Sequence, residues 1–478
     1  MIHSELNVTN KNNKYIHMKK LFLFIGALLF STLFYGKSIG LNLFLFSVIT
    51  LTVLYVNNKD DFRNKRILLY SSLYLVTGLS VFFHDSLVAI IANFVAFFTL
   101  IGLLSEHKSS IYVNWLNGLY TTIAGFFHRN FSFNEATQEV EPKKEIDYLH
   151  LFKIIFIPSI IVIVFIGLYQ NGNPLFSKII ESIDLGFINI QWLLFAGLGY
   201  YLFSNIHKPI EVEPATELDL KTGNSLNKTE GFSIPKLKQE NQLGIILISM
   251  LNALIVLFLI TDITFLITND DVRASVFSSQ VHSGINALIA SIVIAIIILL
   301  YVFRGDINFY KENKILKRLA FIWIILNVIL VLSIATKNSQ YIYYFGLTYK
   351  RIGVLAYLTL SVVGLITTLL KIDQIKNIWY LLRLNTKAAF VVLIIASTVN
   401  WDYHITNYNF NYAKSMDFNY LIDLSNNNTF LLKEQAESKG LANDSIMLIN
   451  KKYRKYVYEL RTNSWQELQY DNLKLDKK

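Results

Sequence analysis

Long uncharged apolar runs recur along this chain, and no other feature restricts its fold so strongly. Residues 243–261, 285–303, 319–336 and 352–370 each lack Asp, Glu, Lys and Arg. A helix rises about 1.5 Å per residue, so roughly 18 to 20 such residues cross about 30 Å of hydrocarbon. Lipid gives a free amide or carbonyl no partner, so each run is expected as helix. Shorter or polar-dotted runs extend the series to about eleven spans: 20–35, 41–56, 67–83, 86–104, 151–169, 190–206, 243–262, 283–303, 319–336, 352–370 and 386–400. The expected fold class is all-α, a polytopic transmembrane helix bundle with a small C-terminal extramembrane region.

Composition agrees. Of 478 residues, 53% are hydrophobic and 16% charged, against about 25% charged in soluble domains. The net charge of +10 is carried by loop cations that fix topology and meet anionic lipid, and no compact basic patch with interleaved aromatics points to nucleic acid. The absence of cysteine excludes disulfides, thiolate zinc sites and cysteine nucleophiles. Lys19 and Lys20 precede an apolar stretch resembling a signal peptide, but no small-residue cleavage site follows. Gly36-Lys37-Ser38-Ile39-Gly40 reads as a turn into a second apolar run, so the two are expected as a retained hairpin.

Loop charge sets the orientation. With eleven spans, 27 Lys and Arg fall on the N-terminal side and six on the other. Positive loops stay inside, so the N-terminal segment 1–19 is expected in the cytoplasm. The tail 401–478 is then extracytoplasmic, provided the short last span crosses. Two further helices are expected to lie in the interface, 111–127 and 174–190. In the second, Phe176, Ile179, Ile180 and Ile183 share one face. Residues 207–242, with Pro209, Pro214, Thr222-Gly223-Asn224 and Pro235, read as a flexible cytoplasmic linker. It would separate an N-terminal part (20–206) from a C-terminal part (243–400). In the tail, 418–432 and 446–468 suit short amphipathic helices or a small α+β cap. Such a cap is too small for a robust core of its own and is expected to pack on the bundle.

Several short motifs occur in a fixed order: Gly40-Leu41-Asn42 opening the second span, Asn173-Pro174-Leu175-Phe176, and Tyr344-Phe345-Gly346-Leu347-Thr348 with Arg351. Asn400-Trp401-Asp402 follows with Ile405, Tyr408 and Asn409, then Asp417, Tyr420, Leu421, Leu424 and Ser425. Over about residues 20–430 this order resembles an uncharacterised bacterial membrane family, domain of unknown function 4173, related to 4153. Trp401 stands where that pattern often has proline. The resemblance implies an inner-membrane protein and brings no known activity.

Candidate functional groups are few. Asn93, Asn252, Asn286 and Asn327 sit within spans, as a polar pathway or as interhelical hydrogen bonds. Ser283, Ala287, Ser291 and Ala295 recur every fourth residue and are expected to form a tight packing face. Ionisable groups gather at the extracytoplasmic ends: His84, Asp85, Asp262, His282, Lys350, Arg351, Asp402 and His404. Of these, Arg351, Lys350, His282, Asp262 and Asp402 form the candidate polar or anion-binding cluster. Arg351 could meet a phosphate or carboxylate at headgroup depth, or simply anchor the span beside its tyrosines. No H-x-x-x-H or H-E-x-x-H spacing supports a metal, and no phosphate loop, nucleophile elbow or dinucleotide fingerprint is present, so no cofactor and no catalytic residue are assigned. The expected function is a non-enzymatic membrane sensor or scaffold with lipid around it and a protein partner on the tail. A transporter or flippase for a small or lipid-linked solute and an outer-leaflet transferase are the alternatives.

Overall fold

The computed structural model describes residues 20–136, 158, 161–162, 165–182, 189–228, 233–268 and 274–475. The expected span 151–169 lies largely outside the described residues, as do segment 1–19 and residues 183–188. Among the described residues the chain is helical without strands, apart from one isolated bridge, Ser225 to Lys376. In chain order the helices are α1 (Lys20–Phe34), α2 (Leu41–Asn57), α3 (Lys65–Phe83), α4 (Leu87–Ser105), α5 (Ile111–Ala136), α6 (Pro174–Ser182), α7 (Ile190–Ile206), α8 (Glu213–Lys221), α9 (Ile234–Thr268), α10 (Ala274–Val302), α11 (Lys314–Phe345), α12 (Tyr349–Asp373), α13 (Ile378–Ser397), α14 (Trp401–Asn411), α15 (Phe418–Asp423), α16 (Thr429–Lys439), α17 (Asn443–Thr462) and α18 (Asn472–Leu475). Seven of them, α3, α4 and α9 to α13, are long and apolar enough to cross a membrane, while α1 and α2 are shorter apolar helices. The chain is thus a multi-pass, all-α membrane protein.

The last candidate span is longer than its uncharged stretch suggests. Asn377 caps α13 by accepting from the Tyr380 amide at 3.1 Å, so the helix starts before 386 and includes Arg383 and Lys387. Its 20 residues rise about 30 Å, a full hydrocarbon thickness.

Contacts divide the chain into two units, residues 1–36 with 122–207 and residues 37–121 with 208–478. This differs from a division at the 207–242 segment, because α2 to α4 pack with the C-terminal helices. Tyr70 of α3, for instance, lies 5.4 Å from the ring of Phe390 on α13.

In the first unit, Ser31 on α1 donates to the Trp192 carbonyl on α7 at 2.7 Å. Arg129 donates to the carbonyls of Ser204 and Asn205, where a cation complements the helix's negative end. Asn173 caps α6, accepting from the Leu175 amide at 2.9 Å.

The second unit holds the larger core, centred on α9 to α12 through Ile248, Ile292, Leu299, Leu316, Ile324, Ile334 and Leu365. The start of α5 packs here too: Asn114 and Asn117 are fully buried, and the Trp115 indole donates to Thr99 of α4 at 2.8 Å. Helix 111–127 is therefore the buried beginning of a longer helix rather than a surface segment.

Two expectations fail here for identifiable reasons. Among the described side chains of α10 the buried residues are Ile285, Ile292, Ala295 and Leu299, while Ala287 and Ser291 are exposed. The small-residue stripe is thus split: Ala295 packs in the core and Ala287 and Ser291 do not, because the bulky Ile285, Ile292 and Leu299 bury more area. The side chain of Ser283 lies outside the described residues. The expected linker 207–242 contains α8 and the start of α9. Asp219 on α8 accepts from the Ser110 amide (2.7 Å), the Ser110 hydroxyl (2.9 Å) and the Tyr112 phenol (2.9 Å), and pairs with Arg383 at 3.0 Å. Arg383 also donates to the Asp219 and Thr222 carbonyls and to Asn224. Burial raises the Asp219 carboxyl, but hydrogen bonds from Ser110, Arg383 and Tyr112 outweigh it and hold the group below its ordinary range.

Candidate functional site

The tail and the turns joining α1 to α2, α3 to α4 and α11 to α12 meet at one end of the second unit, opposite the end that holds Asp219. The ordered motifs make that junction. Asn42 is fully buried and accepts from the Gly40 amide at 2.8 Å, while the Leu41 amide donates to the Leu468 carbonyl at 2.8 Å. A Cβ at Gly40 would lie 2.5 Å from the Glu467 carbonyl oxygen, so glycine there is what lets the tail backbone approach. Gly346 has φ +82 and turns the chain between α11 and α12. Directly after it, the Leu347 amide donates to Asn409 at 2.5 Å and the Leu347 carbonyl accepts from Asn409 at 3.0 Å. Asn409 on α14 thus clips the tail to that turn.

Asp402 is 1% exposed at the start of α14. It accepts from the Tyr349 phenol at 2.6 Å and from the Ser425 hydroxyl, while the Tyr420 phenol oxygen accepts from the Tyr349 amide at 2.9 Å. Lys452 on α17 donates to the carbonyls of Ile422, Leu424 and Ser425 and to Asn428, with distances of 2.7 to 3.1 Å. The Nε2 of His84 lies 2.9 Å from the Ser397 carbonyl and therefore donates to it. Burial lowers the His84 ring's affinity for a second proton against the opposing pull of that carbonyl and Asp402, which favours the neutral ring.

The five residues of the expected cluster do not share one set of partners. Arg351 donates to the carbonyls of Phe345 and Gly346 and stacks 4.1 Å from the Tyr341 ring centre. It caps the negative end of α11. Lys350 is exposed. Asp262 is 7% exposed on α9 and pairs with Lys337 and Ser333 of α11. Lys337, one of the six Lys and Arg that loop counting puts on the second side, is thus a part-buried helix-to-helix partner. The side chain of His282 lies outside the described residues. The in-span asparagines serve packing in three cases: Asn93 donates to Ser47, the Tyr74 carbonyl and Thr77, each at 3.2 Å, Asn252 to the Leu319 carbonyl at 3.0 Å, and Asn327 to the Trp323 carbonyl at 2.8 Å. Asn286 is exposed.

What the sequence did not single out is a polar cavity of about 550 Å3 under the tail. Its walls include Asp85 and Ser38 from the interspan turns and Asn426, Asn427, Glu459 and Glu467 from the tail. Its lining contains three carboxylates and no Lys, Arg or His. Glu467 accepts from the Ser38 amide (2.9 Å) and hydroxyl (2.7 Å), and from the Ser464 amide (3.0 Å). Gln469 donates to Asp85 at 3.3 Å, and Asn427 donates to the Asp85 carbonyl at 3.0 Å. Burial raises the Asp85 carboxyl, with the Gln469 hydrogen bond opposing. Only Asp85 had drawn attention as an interfacial carboxylate. Glu467 meets Ser38, 429 positions away, although its bonds to Ser464 form a local Ser-x-x-Glu capping box, and Glu459 accepts from Asn426, 33 positions away. Among the described residues no three His, Asp or Glu side chains gather closely enough to hold a metal ion.

No curated protein and no solved structure matches this chain. A family model described as "Domain of unknown function (DUF4153)" matches residues 71–435. That span runs from α3 to α16 and includes the Leu347–Asn409 clip and the Asp402 network, while Gly40 and Glu467 lie outside it. The resemblance read from the motifs is thus placed with the 4153 relatives rather than with 4173 itself. Covering well over half of the sequence, this match means that the chain belongs to the DUF4153 family of membrane-helix proteins.

Proposed function

We propose that the protein is a non-enzymatic sensor of the bacterial inner membrane, with its N-terminus in the cytoplasm and its tail outside. The tail cavity receives a small polar solute. One observation carries the reading: the cavity is walled jointly by the tail and by the turns that begin α2 and α4. A molecule bound there touches both, so occupancy biases how the tail sits on the spans. A lining with three carboxylates, several amides and hydroxyls and no Lys, Arg or His favours a hydroxylated, neutral or amine-bearing solute over an anion, with Lys37 and Lys455 meeting Glu467 and Glu459 at 3.9 and 3.8 Å from outside the lining. A protein partner on the tail is the natural recipient of the signal. Met447 and Tyr458 on α17 are 66% and 71% exposed, and such apolar side chains suit a contact surface.

The alternatives have less support. A transport path lined by in-span asparagines is weakened because Asn93, Asn252 and Asn327 bond to neighbouring helices or their own. An outer-leaflet transferase needs Asp262, His282, Arg351 and Asp402 around one cleft, yet the hydrogen-bond and ion-pair partners of Asp262, Arg351 and Asp402 differ.

The test is a thermal-unfolding series on the full chain in detergent, with glucosamine as the amine-bearing polyol and glucose 6-phosphate as the anionic one. Saturable stabilisation is expected with glucosamine, as binding to the native state requires. Loss of that shift in Asp85→Asn with Glu459→Gln assigns it to the cavity. Stabilisation by glucose 6-phosphate instead would sink the proposal.

A further inference from the structure

A second cavity, also about 550 Å3, opens at the opposite end of the second unit, where α10 and α12 end and α13 begins. Arg304, Lys371 and Lys376 line it, with Phe303, Asn377 and Trp379, and no carboxylate is in the lining. Glu240 acts electrostatically on Arg304 without lining the cavity. Lys371 is 5% exposed, and its ammonium donates to the Phe303 carbonyl at 2.6 Å. An ammonium has three protons to donate, and burying the charge is costly unless acceptors surround it. The Arg304 guanidinium is held 3.8 Å from the Tyr301 ring centre, which presents its planar fork in a fixed attitude. The loop over the cavity is tied down: Asn377 donates to the Gly223 carbonyl at 2.6 Å and the Leu226 amide to the Ile375 carbonyl at 3.0 Å.

We infer that this cavity binds a phosphate group, held by Arg304, Lys371 and Lys376 at the level where spans meet water. Two sources share that chemistry, an anionic lipid headgroup and a soluble phosphate ester. Basic pockets between span ends suit the former. An adjoining cavity of about 160 Å3 shares Thr222 and Trp379 and is walled mainly by Val113, Leu116 and Leu218, with Asp219 at its edge held by Ser110, Tyr112 and Arg383. Apolar space beside a cationic pocket fits the glycerol and first methylenes of a lipid.

The experiment is native mass spectrometry of the full chain in detergent, titrated with phosphatidylglycerol, phosphatidylcholine or glycerol 3-phosphate. The pocket variant is Arg304→Gln with Lys376→Gln. The control, Lys311→Gln with Arg318→Gln, removes two exposed charges from the same end outside the cavity. Binding of phosphatidylglycerol over phosphatidylcholine is expected to fall about tenfold or more in the pocket variant and not in the control, as for loss of charge-assisted hydrogen bonds. Glycerol 3-phosphate binding with the same dependence on Arg304 and Lys376 supports the site and names the soluble source. Failure of glycerol 3-phosphate to displace the lipid names the lipid. Equal loss in both variants means general surface attraction and overturns the site, as does full binding in the pocket variant. Should the double variant unfold, Arg304→Gln alone decides, because Arg304 is exposed.

Discussion

Glu467 and Ser38 are 429 positions apart, yet their hydrogen bonds hold one end of the tail against the α1–α2 turn. Burial raises the Glu467 carboxyl, but hydrogen bonds from Ser464 and Ser38 outweigh it and bring its pKa down from an ordinary 4.5 to about 2. A depressed folded value means that the docked state prefers the carboxylate. Its contribution is complete above about pH 4.5 and is lost as pH falls toward 2. Glu467→Gln removes that contribution at every pH. In detergent melts, the Tm gap between wild type and Glu467→Gln is therefore expected to be widest near pH 6 and to shrink toward pH 2.5. A gap that is constant or grows in acid would show that the carboxylate does not hold the junction. Single residues also give the ordered motifs a structural role: Asn409 and Asp402 use their side chains to join tail residues to one another and to the α11–α12 turn, while Asn42 closes the turn whose Leu41 amide meets the tail. Those contacts are architectural, and nothing in the local sequence around these residues marks the cavity beside them.

At the level of elements, α8 shows both the reach and the limit of sequence reasoning. The spans were legible because hydrocarbon demands long uncharged helices whatever their partners, and most described helices fall where the apolar runs do. Helix α8 was not, since prolines and Thr222-Gly223-Asn224 argue locally for a loop. Its order comes from Ser110, Tyr112 and Arg383, which lie 107 to 164 positions away. The stripe on α10 misled for the same reason: small residues permit close packing but do not say which face finds a neighbour. The Asp219–Arg383 pair, with side chains only 5% and 17% exposed, carries a direct prediction. Breaking one partner of a buried pair costs about 3 to 5 kcal/mol, a cost that would fall on the 208–228 segment. Arg383→Met is expected to speed tryptic cleavage after Lys221 and Lys228 at least tenfold while the spans stay folded. Unchanged cleavage would mean that α8 is held by something other than this pair.

For the whole molecule, the two cavities take their meaning from being at opposite ends of the same helices. Helix α13 begins beside Asn224 and Ser225 and ends where Ser397 meets His84, so its length separates the cationic cavity from the carboxylate-lined one. The proposed orientation assigns the sides from loop charge. Lysine-rich connections such as Lys311, Lys314 and Lys317 share an end with the cationic cavity, and cytoplasmic loops carry the excess of Lys and Arg. With Lys337 reassigned to a buried pair, the opposite end has still fewer basic loop residues. The chain has no cysteine, so single introduced thiols report position without background. Tyr458→Cys on the tail and Lys311→Cys between α10 and α11 both replace exposed residues. A membrane-impermeant maleimide is expected to label Tyr458→Cys in intact cells and Lys311→Cys only after permeabilisation. The reverse pattern would turn the molecule over: the polar cavity would then face cytoplasmic solutes and the cationic cavity the outer leaflet. The placement of the N-terminus in the cytoplasm, and the sensor reading built on an outward tail, would fall together.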